Sequence, residues 1–167
     1  MRLTRTFDAR DPMTERIGFT ADEIQTDLPT RQARLKWVVV VDASLPPGRA
    51  VNAAICVAAA TTAAVDGLLG PDAVDADGSV HPGLPWAGCS ILAATAEQLA
   101  AIRARANGKP DLFVADMPTH AQLTRVYDGY LEQVAEHGSA DLELLAVSLV
   151  GPRNRVDRVV GRLPLLP

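Results

Sequence analysis

Four residues stand where chemistry is done in proteins of this kind. Asp116 ends the apolar run Leu112–Ala115, and a carboxylate at the C-terminal end of a strand in an α/β sheet sits where ligands bind. Arg49 and Asn52 follow the turn Leu45-Pro46-Pro47-Gly48, at the start of a helix whose unpaired backbone N–H groups attract anions. His120 comes four residues after Asp116 and is a candidate acid–base group, as is His81 in its Pro/Gly loop. Asp116 as a hydrolytic carboxylate, with Arg49, Asn52 or His120 contacting the ligand, is one combination these residues allow. The same positions also suit plainer work: Asp116 as a helix cap or solvated strand end, Arg49 and Asn52 as capping residues.

Other reactive side chains point to less. Cys56 and Cys89 have no CxxC partner and no His at metal spacing, so neither a disulfide framework nor a zinc site is expected. Cys56 falls well inside an apolar helix, away from the N-terminus where a thiolate is stabilised, and reads as a buried thiol. Asp75-Ala76-Asp77-Gly78 starts like a calcium loop but has no closing Glu, leaving a hairpin turn as its reading. Arg153, Arg155, Arg158 and Arg162 are the densest basic cluster, suited to an anion or to a solvated helix face. No metal and no cofactor is expected.

The elements that must position these residues alternate between strand and helix. Trp37-Val38-Val39-Val40-Val41 is a β-branched run without alternation, the mark of a central strand covered on both faces. Arg49 to Val65 is a helix apolar on every side, which must be sandwiched between layers or packed on a partner chain. Residues 66–88 are rich in Gly, Pro and Asp, with a hairpin turn at Asp77-Gly78. Cys89–Ala93 is a short strand, and Thr95 to Gln98 is a capping box opening a helix on Leu99, Ile102 and Ala106 that stops at Asn107-Gly108. After the Asp116 strand, Thr119 to Gln122 offers another capping box, and Leu123, Val126, Tyr127, Tyr130, Leu131 and Val134 make an amphipathic stripe ending at His137-Gly138. Leu142–Val150 is a long strand, Gly151-Pro152 starts a short helix, and Leu163–Leu166 can add an edge strand. Such alternation predicts an α/β fold in three layers around a mixed sheet of about four to five strands.

Bulk properties narrow the class. The chain has 167 residues, enough for one domain, with 48% hydrophobic and 22% charged residues but only 4% aromatic, so the core is built from Ala, Val, Leu and Ile. A net charge of −4 weighs against nucleic acid as the partner, since phosphate binding needs a basic footprint. Met1 to Arg16 has no apolar signal segment and no stretch reads as a membrane span, so a cytoplasmic location is expected. Residues 1–34 read as an N-terminal arm with a frayed first dozen residues. Within it Thr20 to Glu23 is a capping box that can start one helical turn before Pro29.

Three groups of residues together resemble a known family. They are Leu45-Pro46-Pro47-Gly48-Arg49-Ala50-Val51-Asn52, then Asp75-Ala76-Asp77-Gly78 with His81-Pro82-Gly83, then Gly151-Pro152. Over about residues 35–167 they are similar to the bacterial domain-of-unknown-function family numbered two thousand. The resemblance implies the fold shared with class II (archaeal and eukaryotic type) peptidyl-tRNA hydrolases. Those enzymes end their first strand in D-L-x-M-G-K-G-K and continue the helix as A-A-Q-x-x-H-A. In the same frame this chain has Val51 in place of the second lysine, which is tied to catalysis, Ile55 in place of the glutamine and Ala58 in place of the histidine. Asp116 in Val114-Ala115-Asp116 matches the aspartate of their V-x-D-A-G-R-T motif, but Met117-Pro118-Thr119 replaces the loop after it. The closing G-P and V-x-G-x-L-x-L-L pattern is kept from Gly151 to Leu166.

The resemblance therefore implies a class II peptidyl-tRNA hydrolase-like domain over 35–167 with its polar cluster turned apolar. Ester hydrolysis needs a positioned water and a group that stabilises the oxyanion, and two contributors are gone. Two readings follow. The first is a small-ligand-binding or regulatory homodimer joined through the alanine-rich helix. The second is a hydrolase of unidentified substrate using Asp116 with Arg49, Asn52 or His120.

Overall fold

The computed structural model describes residues 17–167; the fraying expected of the first dozen lies outside the described residues. Four strands form one sheet: β1 (Leu35–Asp42), β4 (Ser90–Ala94), β5 (Phe113–Pro118) and β6 (Leu144–Pro152). Their order is β4-β1-β6-β5, with β1 and β4 parallel and β6 antiparallel to both of its neighbours. The sheet is mixed, as expected.

The run of valines in β1 explains the layering. Val39 and Val41 point to one face, where α1 (Pro47–Ala64) lies, and Val38 and Val40 point to the other, where α2 (Ala96–Ala106) and α5 (Arg153–Val160) lie. All four are fully buried, each stabilising the fold by about 1.5–3 kcal/mol relative to exposure. An alternating strand could not fill both sides. The α2 capping box forms as read, with Thr95 Oγ1 accepting from Gln98 N at 3.3 Å and Gln98 Oε1 accepting from Thr95 N at 2.9 Å.

One buried polar chain ties three elements together. Trp37 Nε1 of β1 donates to Ser148 Oγ of β6 at 2.9 Å, and Ser148 Oγ lies 2.7 Å from Thr61 Oγ1 of α1. Thr61 in turn donates to Val57 O at 2.7 Å. With the Ser148 hydroxyl donating to Thr61, every proton in the chain is used, so these buried groups carry no unmet hydrogen-bond demand.

Five expectations are corrected. The helix α1 is buried on one side only, through Ala50, Ala53, Val57 and Thr61, and Cys56 is exposed rather than buried, because it lies across the helix from that stripe. The segment from Thr119 is not one amphipathic helix. It breaks into α3 (His120–Leu123) and α4 (Tyr127–Ala135). Thr119 forms no cap, since its backbone is already helical and its hydroxyl donates to Glu143 O. The α4 helix buries no residue, so its apolar stripe faces outward at Leu123, Val126, Tyr127 and Leu131. Leu163–Leu166 makes only an isolated bridge, Leu92 with Leu165, at the outer edge of β4; Pro164 can lend its carbonyl to Ala93 N but no N–H in return.

Between α1 and β4 the chain forms a hairpin. Its root pairs Leu69 with Pro85, and its outer part pairs β2 (Ala73–Val74) with β3 (Val80–His81). The two arms touch at Gly83, where a Cβ would sit 1.8 Å from Gly70 O, so only glycine lets them cross. The DADG segment is a turn, as expected: Asp75 Oδ1 accepts from Asp77 N and Ser79 N at 3.0 and 2.9 Å, and its Oδ2 faces His81 Nε2 at 3.2 Å.

Candidate functional site

The chain brings Arg49 and Asn52 together and holds them with a residue that the sequence did not single out. Arg49 and Asn52 are three apart on the first turns of α1, hence on neighbouring positions of one face. Gln122 of α3 reaches both: Arg49 Nε donates to Gln122 Oε1 at 2.6 Å, and Gln122 Nε2 donates to Arg49 O at 3.1 Å and to Asn52 Oδ1 at 3.0 Å. A side-chain amide can accept from a guanidinium through its oxygen and donate to a carbonyl through its nitrogen at once. The only sequence signal for Gln122 was its place at the end of an apparent capping box.

His120, two residues earlier, stacks on His137 with ring centroids 4.8 Å apart. His137 Nδ1 lies 2.7 Å from Gln133 O, which requires that nitrogen to carry the proton. His120 Nδ1 is buried without a hydrogen-bond partner, a polar atom left unmet at the edge of the Arg49–Asn52–Gln122 cluster's own helix.

Asp116 is elsewhere. Successive residues of a strand face opposite sides: in β5, Phe113 and Ala115 pack toward α1, and Val114 packs toward α2 and α5. Asp116 follows Val114 to that second side, where its Oδ2 accepts from Arg103 Nε of α2 at 3.0 Å. Both side chains are about three-quarters covered, at 23% and 25% exposed. Arg103 lies one helical turn after Leu99, which is how a helix that buries Leu99 also delivers it to the end of β5. Tyr130 of α4 lies close by; its phenol is pushed up, first by burial and then by the charges of Tyr127 and Asp116. The structure thus splits the four candidates: Arg49 and Asn52 on the α1 side of the sheet, Asp116 in an ion pair on the α2 side, and His120 against His137.

The remaining candidates separate as well. Arg155 pairs with Asp111 at 3.0 Å and Arg153 donates to Thr30 O at 3.1 Å, so half of the basic cluster is engaged in holding the fold. Burial pushes the Cys89 thiol up to about 12, which makes it a poor nucleophile. A shallow cleft of about 170 Å³ lies between the 17–34 segment and the hairpin root, lined among others by Asp22, Leu28, Arg34 and Trp86. None of the four candidates lines it. Among the described residues no group of three or more His, Cys, Asp or Glu could hold a metal ion, and no helix is long and apolar enough to cross a membrane.

The surface over α1 is the least ordinary feature of this region. From Ala50 to Val65 there is no charged residue, although half of the helix faces outward. Val51 is 55% and Ile55 61% exposed.

Comparison with known proteins bears on the scaffold. A family model described as "Protein of unknown function (DUF2000)" matches residues 35–167. A solved structure, that of the protein of unknown function Atu0240 from Agrobacterium tumefaciens strain C58, superposes with a TM-score of 0.73 at 16% identity, covering 79% of this chain and 97% of that one. At that identity the likeness is one of fold. Comparison with curated proteins gave no match.

Proposed function

The chain belongs to the DUF2000 family, and on that premise we propose that it is a cytoplasmic, non-hydrolytic binding protein that works as a homodimer. Its scaffold is that of the class II peptidyl-tRNA hydrolases, with the catalytic face converted into a contact face. The observation that carries this reading is the outer side of α1: uncharged from Ala50 to Val65, with Val51 and Ile55 exposed. Water-facing helix surfaces carry polar residues, and an exposed apolar strip rimmed by polar groups marks an interaction site.

The hydrolase reading needs Asp116 with Arg49, Asn52 or His120 around one substrate. Against it, Asp116 is paired with Arg103 on the α2 side of the sheet, Arg49 and Asn52 are tied to Gln122 on the α1 side, and His120 stacks on His137. Arg49 and Asn52, with His120 nearby, are instead the contacts for a small ligand at the rim of the α1 face. They offer a cation and an amide already held in place, so little ordering entropy is lost on binding.

Sedimentation equilibrium at micromolar concentration should show a dimer, and Ile55→Glu should convert it to a folded monomer. A wild-type monomer, or an Ile55→Glu dimer of unchanged affinity, overturns the reading. N-acetyl-aminoacyl-tRNA should be turned over only at the background rate; ordinary hydrolase rates would restore the enzymatic alternative.

A further inference from the structure

The chain has three histidines, and the fold brings two of them together from opposite ends of the α3–α4 segment. His120 opens α3 and His137 follows the last turn of α4, with ring centroids 4.8 Å apart and planes tilted by 42°. Among the described residues, each ring keeps one nitrogen that no protein group claims. His137 gives its Nδ1 proton to Gln133 O at 2.7 Å, which fixes the tautomer and leaves the lone pair on Nε2. His120 Nδ1 is buried with no hydrogen-bond partner; with the proton on Nε2, it too presents a bare lone pair. A buried polar atom in that state calls for an explanation.

Two imidazole lone pairs at this spacing are a donor set for a borderline transition metal. A ligating ring nitrogen lies about 2.0–2.1 Å from zinc and roughly 1.2 Å from its own ring centre, so two rings on one tetrahedral ion have centres about 5 Å apart. The observed 4.8 Å is already that separation. The bond to Gln133 fits as well, since a ligating histidine commonly gives its other N–H to a backbone carbonyl, which orients the ring. The surroundings favour a cation: positions 126–152 hold Asp128, Glu132, Glu136, Asp141 and Glu143 and no Lys or Arg, a field that raises the local concentration of positive ions. His137 is exposed, so an ion has a path in. Ring packing by itself explains the contact but leaves the His120 nitrogen unmet.

We propose that His120 and His137 bind a divalent transition-metal ion of the zinc or nickel type, through Nδ1 of the first and Nε2 of the second, with water completing the shell. Among the described residues no third His, Cys, Asp or Glu joins them, so the site is open and exchangeable, unlike a structural zinc site with its four protein ligands. Its occupancy follows the metal available. The ion ties the start of α3 to the end of α4, a nine-residue helix with no buried residue and too short to be stable alone. Metal binding therefore sets how firmly α3–α4 is held. The site needs no second chain and stands apart from the dimer reading above.

The test titrates the untagged full-length protein with Zn²⁺ alone by calorimetry, and then with Ni²⁺ alone. One ion per chain should bind. His120→Gln and His137→Gln should each weaken binding at least tenfold, as loss of even an outer partner of a metal ligand does. His81→Gln, at the hairpin histidine that faces Asp75, should leave it unchanged. Nuclear magnetic resonance of the imidazole nitrogens in the wild-type protein gives a measurement that needs no variant: Zn²⁺ should shift His120 Nδ1 and His137 Nε2 and leave His81 in place. Saturating Zn²⁺ should also slow amide exchange over Tyr127–Ala135 in the wild type and in neither of the His120 and His137 variants. Absence of binding, unchanged affinity in either of those variants, or shifts confined to His81 overturns the site. Binding at both histidines with α4 exchange unaltered overturns its hold on α3–α4.

Discussion

The two sides of α1 are built from the same few residue types and end up in opposite surroundings. Ala50, Ala53, Val57 and Thr61 are in the core, while Val51, Ile55, Ala59 and Ala63 face outward. Hydrophobicity does not separate them, for the outward side carries the larger apolar groups. What separates them is fit. Ala50 and Ala53 are small enough for the helix to lie directly on the sheet, and Thr61 is the one hydroxyl on the helix that completes the Trp37–Ser148 chain. A bulkier residue on that side would lift the helix off the sheet.

The comparison is broken most sharply by matched truncations. Val57→Ala leaves a cavity under α1 and should cost about 2–3 kcal/mol. Ile55→Ala, removing a larger side chain two residues away on the other side, should change monomer stability by no more than about 0.5 kcal/mol. Urea denaturation measured at a concentration where the chain is monomeric checks both. Equal costs would mean that α1 is docked by its outer side.

Ser148→Ala tests the polar half of the argument. It strips the acceptor from Trp37 Nε1 and the partner from Thr61 without changing the backbone. Leaving buried polar groups unmet costs about 1–3 kcal/mol, so the urea midpoint should fall accordingly. The double variant Thr61→Val with Ser148→Ala should lose less than the two single changes combined, because residues in one network do not add.

How far the sequence could be read follows from the same contrast. Fold class and layering were legible because the valine run of β1 had to be covered on both faces, and the α2 helix because its cap and its Leu99, Ile102, Ala106 stripe agree. Which side of α1 is buried was not legible, because a helix apolar all round has no preferred direction. The break after Leu123 was missed for a related reason: the stripe through Leu123, Tyr127 and Leu131 has good helical spacing, yet among the described residues all three side chains are exposed. Asp116 was expected at a strand end, but β5 runs on through Met117 to Pro118, the side Asp116 faces depends on its place in the strand, and its partner Arg103 comes from α2. Gln122 had no signal that sequence spacing could supply.

The layer that holds α1 is also covered beyond the helix's end, and there an apolar cover is fastened by a charged clamp, which gives the smallest and most local of the predicted effects. Phe19 is buried against Trp86, with ring centroids 4.8 Å apart. Its segment is clamped by Arg34, which binds Glu23 through two nitrogens and donates to Gly18 O at 2.7 Å. The hydrogen bond from Arg34, followed by that from Thr20 N, lowers Glu23 from 4.5 to about 2. A carboxylate whose folded value is depressed contributes stability that is complete above its unfolded value and is lost as pH falls toward the folded one. The clamp should therefore hold above about pH 4.5 and loosen between there and about pH 2. The pair is largely solvent-exposed, so screening keeps the effect small and the sheet stays folded. Trp86 emission should shift in that window, with no matching change in far-ultraviolet circular dichroism. Glu23→Gln should show the acid-state emission already at neutral pH, and Trp86→Phe should remove the signal. A shift that survives in Glu23→Gln would assign the acid response to a different carboxylate, and the charged clamp would then be no firmer than the bare apolar face beside it.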